Sequence, residues 1–229
     1  MQITGSKAIL ESLKKENVKT AFGYPGGAIM PLYDAFLDEK EFRHVLSRHE
    51  QGAAHMAEGY ARASGEVGVC ISTSGPGATN LVTGIVDAYC DSVPIVALSG
   101  QVHTHLIGND AFQEADMFGL TMPMVKHNFK IMNAKDIPSV FKSAFHIAKT
   151  GRPGPVHIDL PKDIQINKFD FNYPDKISLR GYNPNFEGHP RQIKKAVEAI
   201  MNAERPLIIA GGGCVISGAQ DELFSFVSA

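Results

Sequence analysis

The sequence contains little cysteine, no strong excess of charge and no long apolar run. Its cysteines, Cys70, Cys90 and Cys214, are widely spaced, which fits a reducing cytosol and excludes a disulfide scaffold or a cysteine-rich zinc site. The 22 Lys and Arg against 24 Asp and Glu give a formal charge of −2, which argues against a generic nucleic-acid binder. The sequence has no apolar run of about 18 residues, so no membrane span is predicted. Its first residues do not have the pattern of a secretory signal. We expect a cytoplasmic protein with no nucleic-acid or membrane partner.

The pattern of apolar residues predicts an α/β fold. Hydrophobic residues make up 44% of the 229 residues, which is enough for a full-sized core. At about 150 residues per domain, this length suggests one domain or one and a half. Stretches that are apolar throughout, such as 67–72 and 93–99, alternate with helical stretches such as 51–63. This alternation is typical of a parallel sheet with helices on both faces.

The predicted elements fill a first domain over residues 1–165. Helices are expected at 3–18, 28–37, 51–63, 74–89 and 136–149. Strands are expected at 20–24, 42–47, 67–72, 93–99 and 154–159. Glycine-rich turns follow several of these strands, and ligands of parallel sheets gather at the carboxyl ends of the strands. We therefore expect the functional residues at that edge.

The composition changes near residue 166. Between 166 and 189, Asn, Asp, Tyr and Pro cluster without helical periodicity, which predicts a linker. From 190 to 229, a helix at 191–202, a strand at 206–210 and a glycine turn indicate the start of a second α/β domain. This piece is too short to close a sheet of its own. We therefore expect a truncated segment of a longer protein.

Glu50 is the first candidate for chemistry. It lies in the stretch Arg48-His49-Glu50-Gln51-Gly52, between a predicted strand and a predicted helix. A carboxylate at a helix N-terminus gains from the helix dipole, so one interpretation is a capping acid. The small residues that follow allow backbone or ligand to approach closely, which favours a functional role. Both interpretations stay open at this point.

The stretch Ser74-Gly75-Pro76-Gly77 is the second candidate. It follows an apolar strand and opens a helix, which is the geometry of an anion cradle. No Lys follows the glycines, so the stretch is not a P-loop, and it does not match the dinucleotide fingerprint. A nicotinamide-binding dehydrogenase is therefore disfavoured. The simplest alternative is a tight turn with Pro76 at the first helical position.

Two other kinds of site find little support in the sequence. The histidine pairs His103 and His105, and His49 and His55, do not have the spacing of a zinc motif on a helix, so no metal ligand is predicted. Ser99 lacks a nucleophile-elbow pattern, and no triad can be identified for it.

Taken together, five stretches resemble one family. In chain order they are Gly23-Tyr24-Pro25-Gly26-Gly27, Arg48-His49-Glu50-Gln51-Gly52-Ala53, Ser74-Gly75-Pro76-Gly77-Ala78-Thr79-Asn80, Asp110-Ala111-Phe112-Gln113-Glu114-Ala115-Asp116 and Gly151-Arg152-Pro153-Gly154-Pro155-Val156. The set is similar to the N-terminal, pyrimidine-binding domain of thiamine-diphosphate enzymes. The stretch around Phe112 narrows the resemblance to the catalytic large subunits of the acetolactate synthase family.

The resemblance implies roles for individual residues. Glu50 matches the glutamate that bonds to N1′ of the cofactor's aminopyrimidine, where shared protonation favours the reactive 4′-imino tautomer. Four further positions are expected around the pyrimidine and the reacting centre: Tyr24, Pro76, Asn80 and Gln113. The substrate approach is expected to include Gly27, Ala28, Phe112 and Lys162. Positions that match those near FAD are Asp91, Arg152, Gly211, Gly212 and Gly213.

The resemblance also implies a reaction and partners. The family decarboxylates pyruvate and transfers the hydroxyethyl group to pyruvate or 2-ketobutyrate, in branched-chain amino acid biosynthesis. Thiamine diphosphate, Mg²⁺ and FAD are the implied cofactors, with the magnesium and diphosphate ligands outside this chain. A second catalytic subunit, in a homodimer or tetramer, and a small regulatory subunit are the implied protein partners. We expect this segment alone to be inactive, because it supplies only the pyrimidine half of the site.

Alternative functions remain within and outside this family. Pyruvate oxidase, sulfoacetaldehyde acetyltransferase and 2-hydroxyacyl-CoA lyase share Glu50 and the Gly-Pro-Gly turn. A non-catalytic domain that pairs with a full-length enzyme is a further alternative.

Overall fold

The computed structural model describes residues 2–229, which divide into two compact units. The first unit ends at Pro184 and the second begins at Asn185. Within the described residues, no helix combines the length and apolar character needed to cross a bilayer.

A six-stranded parallel sheet forms the centre of the first unit. The strands of this unit are β1 (Gln2–Thr4), β2 (Thr20–Gly23), β3 (Arg43–Leu46), β4 (Gly68–Ser72), β5 (Ile95–Gln101), β6 (His127–Lys130), β7 (Val156–Pro161) and β8 (Lys168–Asp170). Their order in the main sheet is β3-β2-β4-β5-β7-β6, and every pairing in it is parallel. Strands β1 and β8 pair antiparallel as a separate ribbon. The predicted parallel sheet is therefore confirmed.

Helices cover both faces of the main sheet, as predicted. The helices of this unit are α1 (Gly5–Lys15), α2 (Met30–Leu37), α3 (Glu50–Ser64), α4 (Pro76–Thr79), α5 (Val82–Cys90), α6 (Met117–Thr121), α7 (Ile137–Lys149) and α8 (Lys162–Ile166). Leu13 of α1, Leu32 of α2 and Phe141 of α7 belong to one buried apolar cluster. Ala57 of α3 and Ile85 of α5 belong to another. The central strands supply both clusters because successive side chains point to opposite faces.

The strand order creates a crevice between β2 and β4. The chain leaves β2 for α2 on one face of the sheet, whereas it leaves β4 for α4 and α5 on the other. Such a reversal is where open α/β sheets bind ligands, outside the carboxyl ends of the strands. The turns that follow β2, β3 and β4 all lie at this edge.

The second unit is helical in the described residues. Its helices are α9 (Pro190–Met201), α10 (Gly212–Ile216) and α11 (Gln220–Ser228). The strand predicted at 206–210 is wrong, because these residues pair with no strand among residues 2–229 and Leu207 and Ile209 are exposed. The predicted turn at Gly211–Gly213 also differs, since Gly211 precedes α10 and the next two glycines begin it.

Three further differences concern the first unit. Residues 2–4 form β1 rather than the start of a helix, and β6 and β8 were not predicted. The helix predicted at 74–89 is divided into α4 and α5. The segment 166–189, predicted as a linker, contains β8. The backbone of β8 is hydrogen-bonded to β1, which lies at the start of the chain. Such long-range pairing leaves little local signal in a sequence.

Candidate functional site

Glu50 begins α3, but its carboxylate does not cap that helix. The cap is His49, whose Nδ1 accepts a hydrogen bond of 3.1 Å from the backbone N–H of Gln51. The Glu50 side chain instead accepts a hydrogen bond of 3.0 Å at Oε2 from the Asn80 side-chain amide. Glu50 is buried, with 9% of its surface exposed. The interpretation of Glu50 as a simple capping acid is therefore wrong.

The turn before α4 brings Asn80 to Glu50. Gly75 has φ +56° and ψ −121°, a conformation that only glycine adopts readily, and a Cβ there would lie 2.5 Å from the Gln113 carbonyl oxygen. Pro76 is the first residue of α4, as predicted. At Gly77, a Cβ would lie 3.0 Å from Glu50 Oε1. The glycines therefore allow the turn to pack closely against both the carboxylate and the segment that carries Gln113.

Thr73 links this turn to the turn that follows β2. Its Oγ1 accepts a hydrogen bond of 3.2 Å from the backbone N–H of Ala28. Its Cγ2 would lie 2.7 Å from a Cβ on Gly77, so the same side chain contacts both turns. Sequence reasoning missed Thr73, because a lone threonine after a strand carries no signal of its own.

A cleft of about 310 Å³ lies at the same edge of the sheet. It is lined by Gly27, Ala28, Ser74, Gln101, Val102, His103, Leu106, Ala111, Phe112, Gln113 and Lys162. The cleft thus brings together the residues expected on the substrate approach and Gln113. Phe112 is 87% exposed, so an apolar ring is available beside the cleft.

Two carboxylates shape the segment that carries Phe112 and Gln113. Glu114 accepts hydrogen bonds from the backbone N–H groups of Gly108 (2.5 Å) and Ala111 (3.0 Å). These bonds hold the pKa of the Glu114 carboxyl below its usual range. Asp116 caps α6 by accepting from the backbone N–H of Gly119 at 3.2 Å. The segment 108–116 is therefore a folded loop with its own hydrogen bonds.

Not all of the sequence-predicted residues meet at this edge. Tyr24 follows β2 and is 42% exposed there. Asp91 and Arg152 instead precede β5 and β7, so they lie at the opposite, amino-terminal edge of the sheet. The glycines Gly211, Gly212 and Gly213 lie in the second unit.

At the amino-terminal edge, Arg152 and Asp91 contact other residues of the chain. Arg152 Nε donates to Ser92 Oγ at 2.7 Å, and Arg152 Nη2 donates to the Cys90 carbonyl at 3.2 Å. Asp91 Oδ2 accepts a 2.6 Å hydrogen bond from Arg62 Nη2. The Arg152 guanidinium is nevertheless exposed on the surface.

One group of potential metal ligands lies within the described residues, away from Glu50. His55, Glu58 and Asp87 place ligand atoms within 4.8 Å of one another. Glu58 follows Glu50 by eight residues on α3, about 12 Å along the helix axis. It already accepts hydrogen bonds from Arg62, so its charge is compensated. This group is best explained as an ion-pair network.

A buried polar network lies beneath the cleft, and sequence reasoning missed it. Ser99 Oγ is 2.8 Å from His157 Nε2 and 3.0 Å from Asp159 Oδ1. Burial lowers the pKa of His157 to about 3 and raises that of Asp159 to about 7. All three residues are fully buried, so Ser99 cannot serve as a nucleophile toward a substrate. Strand pairing of β5 with β7 brings these residues together, and no spacing in the sequence encodes that.

Residues 3–120 match the family model described as "Thiamine pyrophosphate enzyme, N-terminal TPP binding domain". This chain belongs to that family. It is 61% identical over 222 residues to a "Probable acetolactate synthase large subunit" of Methanocaldococcus jannaschii, and 60% identical over 228 residues to one of Methanococcus aeolicus. It is 55% identical over 225 residues to an "Acetolactate synthase large subunit" of Corynebacterium glutamicum.

The alignments span nearly the whole chain but only part of each relative. They cover 96–98% of this chain and 36–38% of the three relatives. The resemblance to thiamine-diphosphate enzymes and the predicted fold class are confirmed by these matches. The chain spans little more than a third of the length of the relatives, so their activity is carried to it below as a proposal.

Proposed function

We propose that this chain is the aminopyrimidine-binding domain of a thiamine-diphosphate-dependent acetolactate synthase catalytic subunit. The proposed reaction is the decarboxylation of pyruvate and transfer of the hydroxyethyl group to a second 2-keto acid. The observation that carries the proposal is the Glu50 carboxylate, buried at the carboxyl edge of the sheet and held by Asn80 through one oxygen.

The surroundings of Glu50 fit an aminopyrimidine ring. Within residues 2–229, Oε1 of Glu50 accepts no hydrogen bond, so one carboxylate oxygen remains for a ligand nitrogen. Because residue 77 is a glycine, it places no Cβ at the position 3.0 Å from Oε1. A carboxyl group can both give and take a proton, whereas an amide of the same shape cannot.

Glu50 is proposed to hold a proton at N1′ of the ring. When bound, thiamine diphosphate supplies the electron sink that decarboxylation of a 2-keto acid requires. Asn80 orients the Glu50 carboxylate through Oε2, so Oε1 would be the oxygen that bonds to the ring nitrogen. Tyr24 and Pro76, on the neighbouring turns, are proposed to flank the pyrimidine.

The cleft is proposed to admit pyruvate and 2-ketobutyrate. Lys162 supplies a cation that suits the carboxylate of a 2-keto acid. Phe112 offers an apolar surface for the short alkyl group, and Gln113 offers an amide. Gly27 and Ala28 contribute no bulky side chain to the lining of the cleft.

The residues described here do not fit the diphosphate and its Mg²⁺. The one cluster of potential ligands within residues 2–229, at His55, Glu58 and Asp87, lies away from Glu50 and is tied to Arg62. We propose that another part of the protein or a second catalytic subunit supplies this half of the site. A homodimer or tetramer, a small regulatory subunit and a cytoplasmic location complete the proposal.

Asp91 and Arg152 of the first unit are proposed to contact FAD, and the same role is proposed separately for the glycines 211–213 of the second unit. The Arg152 guanidinium is exposed, and Nη1 makes no hydrogen bond among the described residues. A guanidinium binds phosphate and stacks on planar rings. Open space surrounds the position that a Cβ would take at each of Gly211, Gly212 and Gly213, so a ligand can approach the backbone there.

The test uses the protein as its gene encodes it. The enzyme is incubated with pyruvate, thiamine diphosphate, Mg²⁺ and FAD, and acetolactate is measured as acetoin after acid treatment. We expect acetolactate, and 2-aceto-2-hydroxybutyrate once 2-ketobutyrate is added. In a parallel incubation with inorganic phosphate and oxygen, formation of acetyl phosphate and hydrogen peroxide would instead identify a pyruvate oxidase. Absence of turnover with pyruvate would overturn the proposal.

A further inference from the structure

We propose that Asp159 is a positioning residue for the cleft. Through Gln101, it fixes the loop 108–116, which carries Phe112 and Gln113. The effect on the loop stands on geometry alone, whereas the effect on catalysis rests on the proposed function.

Gln101 connects Asp159 to the loop by direct hydrogen bonds. Its Nε2 donates to Asp159 Oδ2 at 3.1 Å and to the Ala115 carbonyl at 2.9 Å. Its Oε1 accepts from the backbone N–H of Val102 at 2.9 Å. Both donors and the acceptor of this amide are therefore engaged. Gln101 and Asp159 are 1% and 0% exposed, so water does not compete for these bonds.

The connection joins the loop to two interior strands of the sheet. Gln101 is the last residue of β5, and Asp159 lies on the adjacent strand β7. The Ala115 carbonyl also accepts from the backbone N–H of Met117, where α6 begins. Glu114 organises the loop internally, but it does not attach the loop to the sheet. Gln101 links the loop to β5 and β7, and an ion pair of 3.7 Å between Asp116 and Lys130 links it to β6. Asp159 sets the rotation of the Gln101 amide.

The amide of Gln101 needs an acceptor at the position of Asp159. With Oδ2 accepting from Nε2, the second Nε2 proton points to Ala115 and Oε1 points to Val102. Asp159 Oδ1 accepts from Ser99 Oγ, so neither carboxylate oxygen lacks a partner. An apolar side chain at 159 would leave a buried N–H unpaired, which is costly enough to release the amide.

Asp159 remains a hydrogen-bond acceptor for Gln101 whether its carboxyl group is protonated or ionised. His157 lies beside Ser99, and Lys130 and Asp116 act on the carboxyl by charge. Burial raises the pKa of Asp159 to about 7. The protonated carboxyl can donate to Ser99 Oγ through Oδ1, while Oδ2 still accepts from Gln101. The positioning therefore does not depend on the charge of Asp159.

Two substitutions of Asp159 separate hydrogen bonding from size. Asp159→Asn keeps an acceptor for Gln101 and turns its amide N–H groups toward Ser99. Asp159→Leu has a similar volume but no acceptor. Gln101→Met removes the link from the other side, in case Asp159→Leu does not fold. Phe141→Leu, in α7 on the other face of the sheet, is the control for a general loss of stability.

The readout is amide hydrogen exchange in peptides that span residues 102–117, with thermal melts alongside. We expect the exchange of Val102 and Met117 to become roughly tenfold faster in Asp159→Leu and Gln101→Met, because their acceptors are released. Asp159→Asn should stay within about twofold of the parent. Unchanged exchange in a folded Asp159→Leu or Gln101→Met protein, or equal acceleration in Phe141→Leu, would overturn the proposal.

The catalytic consequence is tested separately in the protein as encoded. In Asp159→Leu and Gln101→Met, the loosened loop should raise KM for pyruvate several-fold more than it lowers kcat. Asp159→Asn should keep both constants close to those of the parent. Absence of acetolactate formation in the parent would contradict the proposed function but leave the exchange result to decide the positioning role. Normal KM in a variant with a loosened loop would show that the loop does not position the cleft.

Discussion

The side-chain amide of Asn80 donates a 3.0 Å hydrogen bond to Oε2 of Glu50. The two residues follow β4 and β3, which are not neighbours in the sheet, because β2 lies between them. The bond therefore joins residues that follow the strands on either side of β2. This relationship fixes the orientation of the carboxylate on which the proposed chemistry depends.

Gly77→Ala should impair the site with little effect on stability. The new methyl group would lie 3.0 Å from Glu50 Oε1 and 2.7 Å from Thr73 Cγ2, so these side chains must shift. Alanine in a helix offsets part of that cost by up to about 1 kcal/mol. We expect a loss in kcat/KM of about tenfold or more, measured by steady-state kinetics, with a change in unfolding free energy below about 1 kcal/mol.

Gly59→Ala is the matched control for this experiment. Gly59 lies on α3, and among the described residues no atom outside its chain neighbours and the local helix backbone lies within 4 Å of the position of its Cβ. The substitution should leave kcat/KM unchanged and raise stability slightly. Equal activity of the two variants would contradict the claim that Gly77 makes room for Glu50.

The stability of Asp159→Asn should depend on pH differently from that of the parent. The pKa of Asp159 is raised from 3.8 to about 7 in the folded state. Between about pH 4 and pH 7, the folded parent therefore holds a proton on Asp159 that the unfolded chain has lost. The contribution of Asp159 to the free energy of unfolding is therefore full below about pH 4 and is lost as the pH rises through 7.

His157 has the opposite effect over a similar range. Its pKa is lowered from 6.5 to about 3, so its contribution is lost as the pH falls below 6.5. Asp159→Asn removes only the first effect. Its unfolding free energy should therefore rise relative to the parent by up to about 1.4 kcal/mol per pH unit between pH 4 and 7. Urea unfolding of both proteins across this range tests the prediction, and a constant difference would contradict it.

Much of the fold could be predicted from the sequence because the sheet is parallel and buried. Strands such as β4 and β5 are buried throughout and mostly apolar, and glycine-rich turns separate them from helices. The elements that escaped prediction depend on distant partners. Strand β8 forms because β1 lies beside it, and β6 is stabilised by β7.

The candidate site was predictable to the extent that its motifs are local. Glu50 and Asn80 lie in recognisable stretches, and the structure brings them together. Thr73, Gln101 and Asp159 were not predictable, because each acts through a partner far away in the sequence. The placement of Arg152 at the opposite edge also required the strand order.

Arg152→Ala in the protein as encoded should retain less flavin on purification. Lysine at this position should fail to restore retention, because it lacks the planar fork of donors. Ser92→Gly removes the acceptor of Arg152 Nε but keeps the guanidinium, and Ser92 has φ +61°, which glycine tolerates. It should retain more flavin than Arg152→Ala, as judged by absorbance. Full flavin retention in Arg152→Ala would contradict a role of Arg152 in binding FAD and leave it only its structural contacts with Ser92 and Cys90.

The proton-transfer role of Glu50 is tested most directly by Glu50→Gln in the protein as encoded. The amide keeps the size and the contact with Asn80 but cannot exchange a proton with N1′. The measurement is hydrogen–deuterium exchange at C2 of bound thiamine diphosphate, followed by NMR after acid quench, with a thermal melt alongside. The account predicts exchange slower by about 10²–10⁴-fold in a folded, cofactor-saturated variant. Unchanged exchange in that variant would contradict the account.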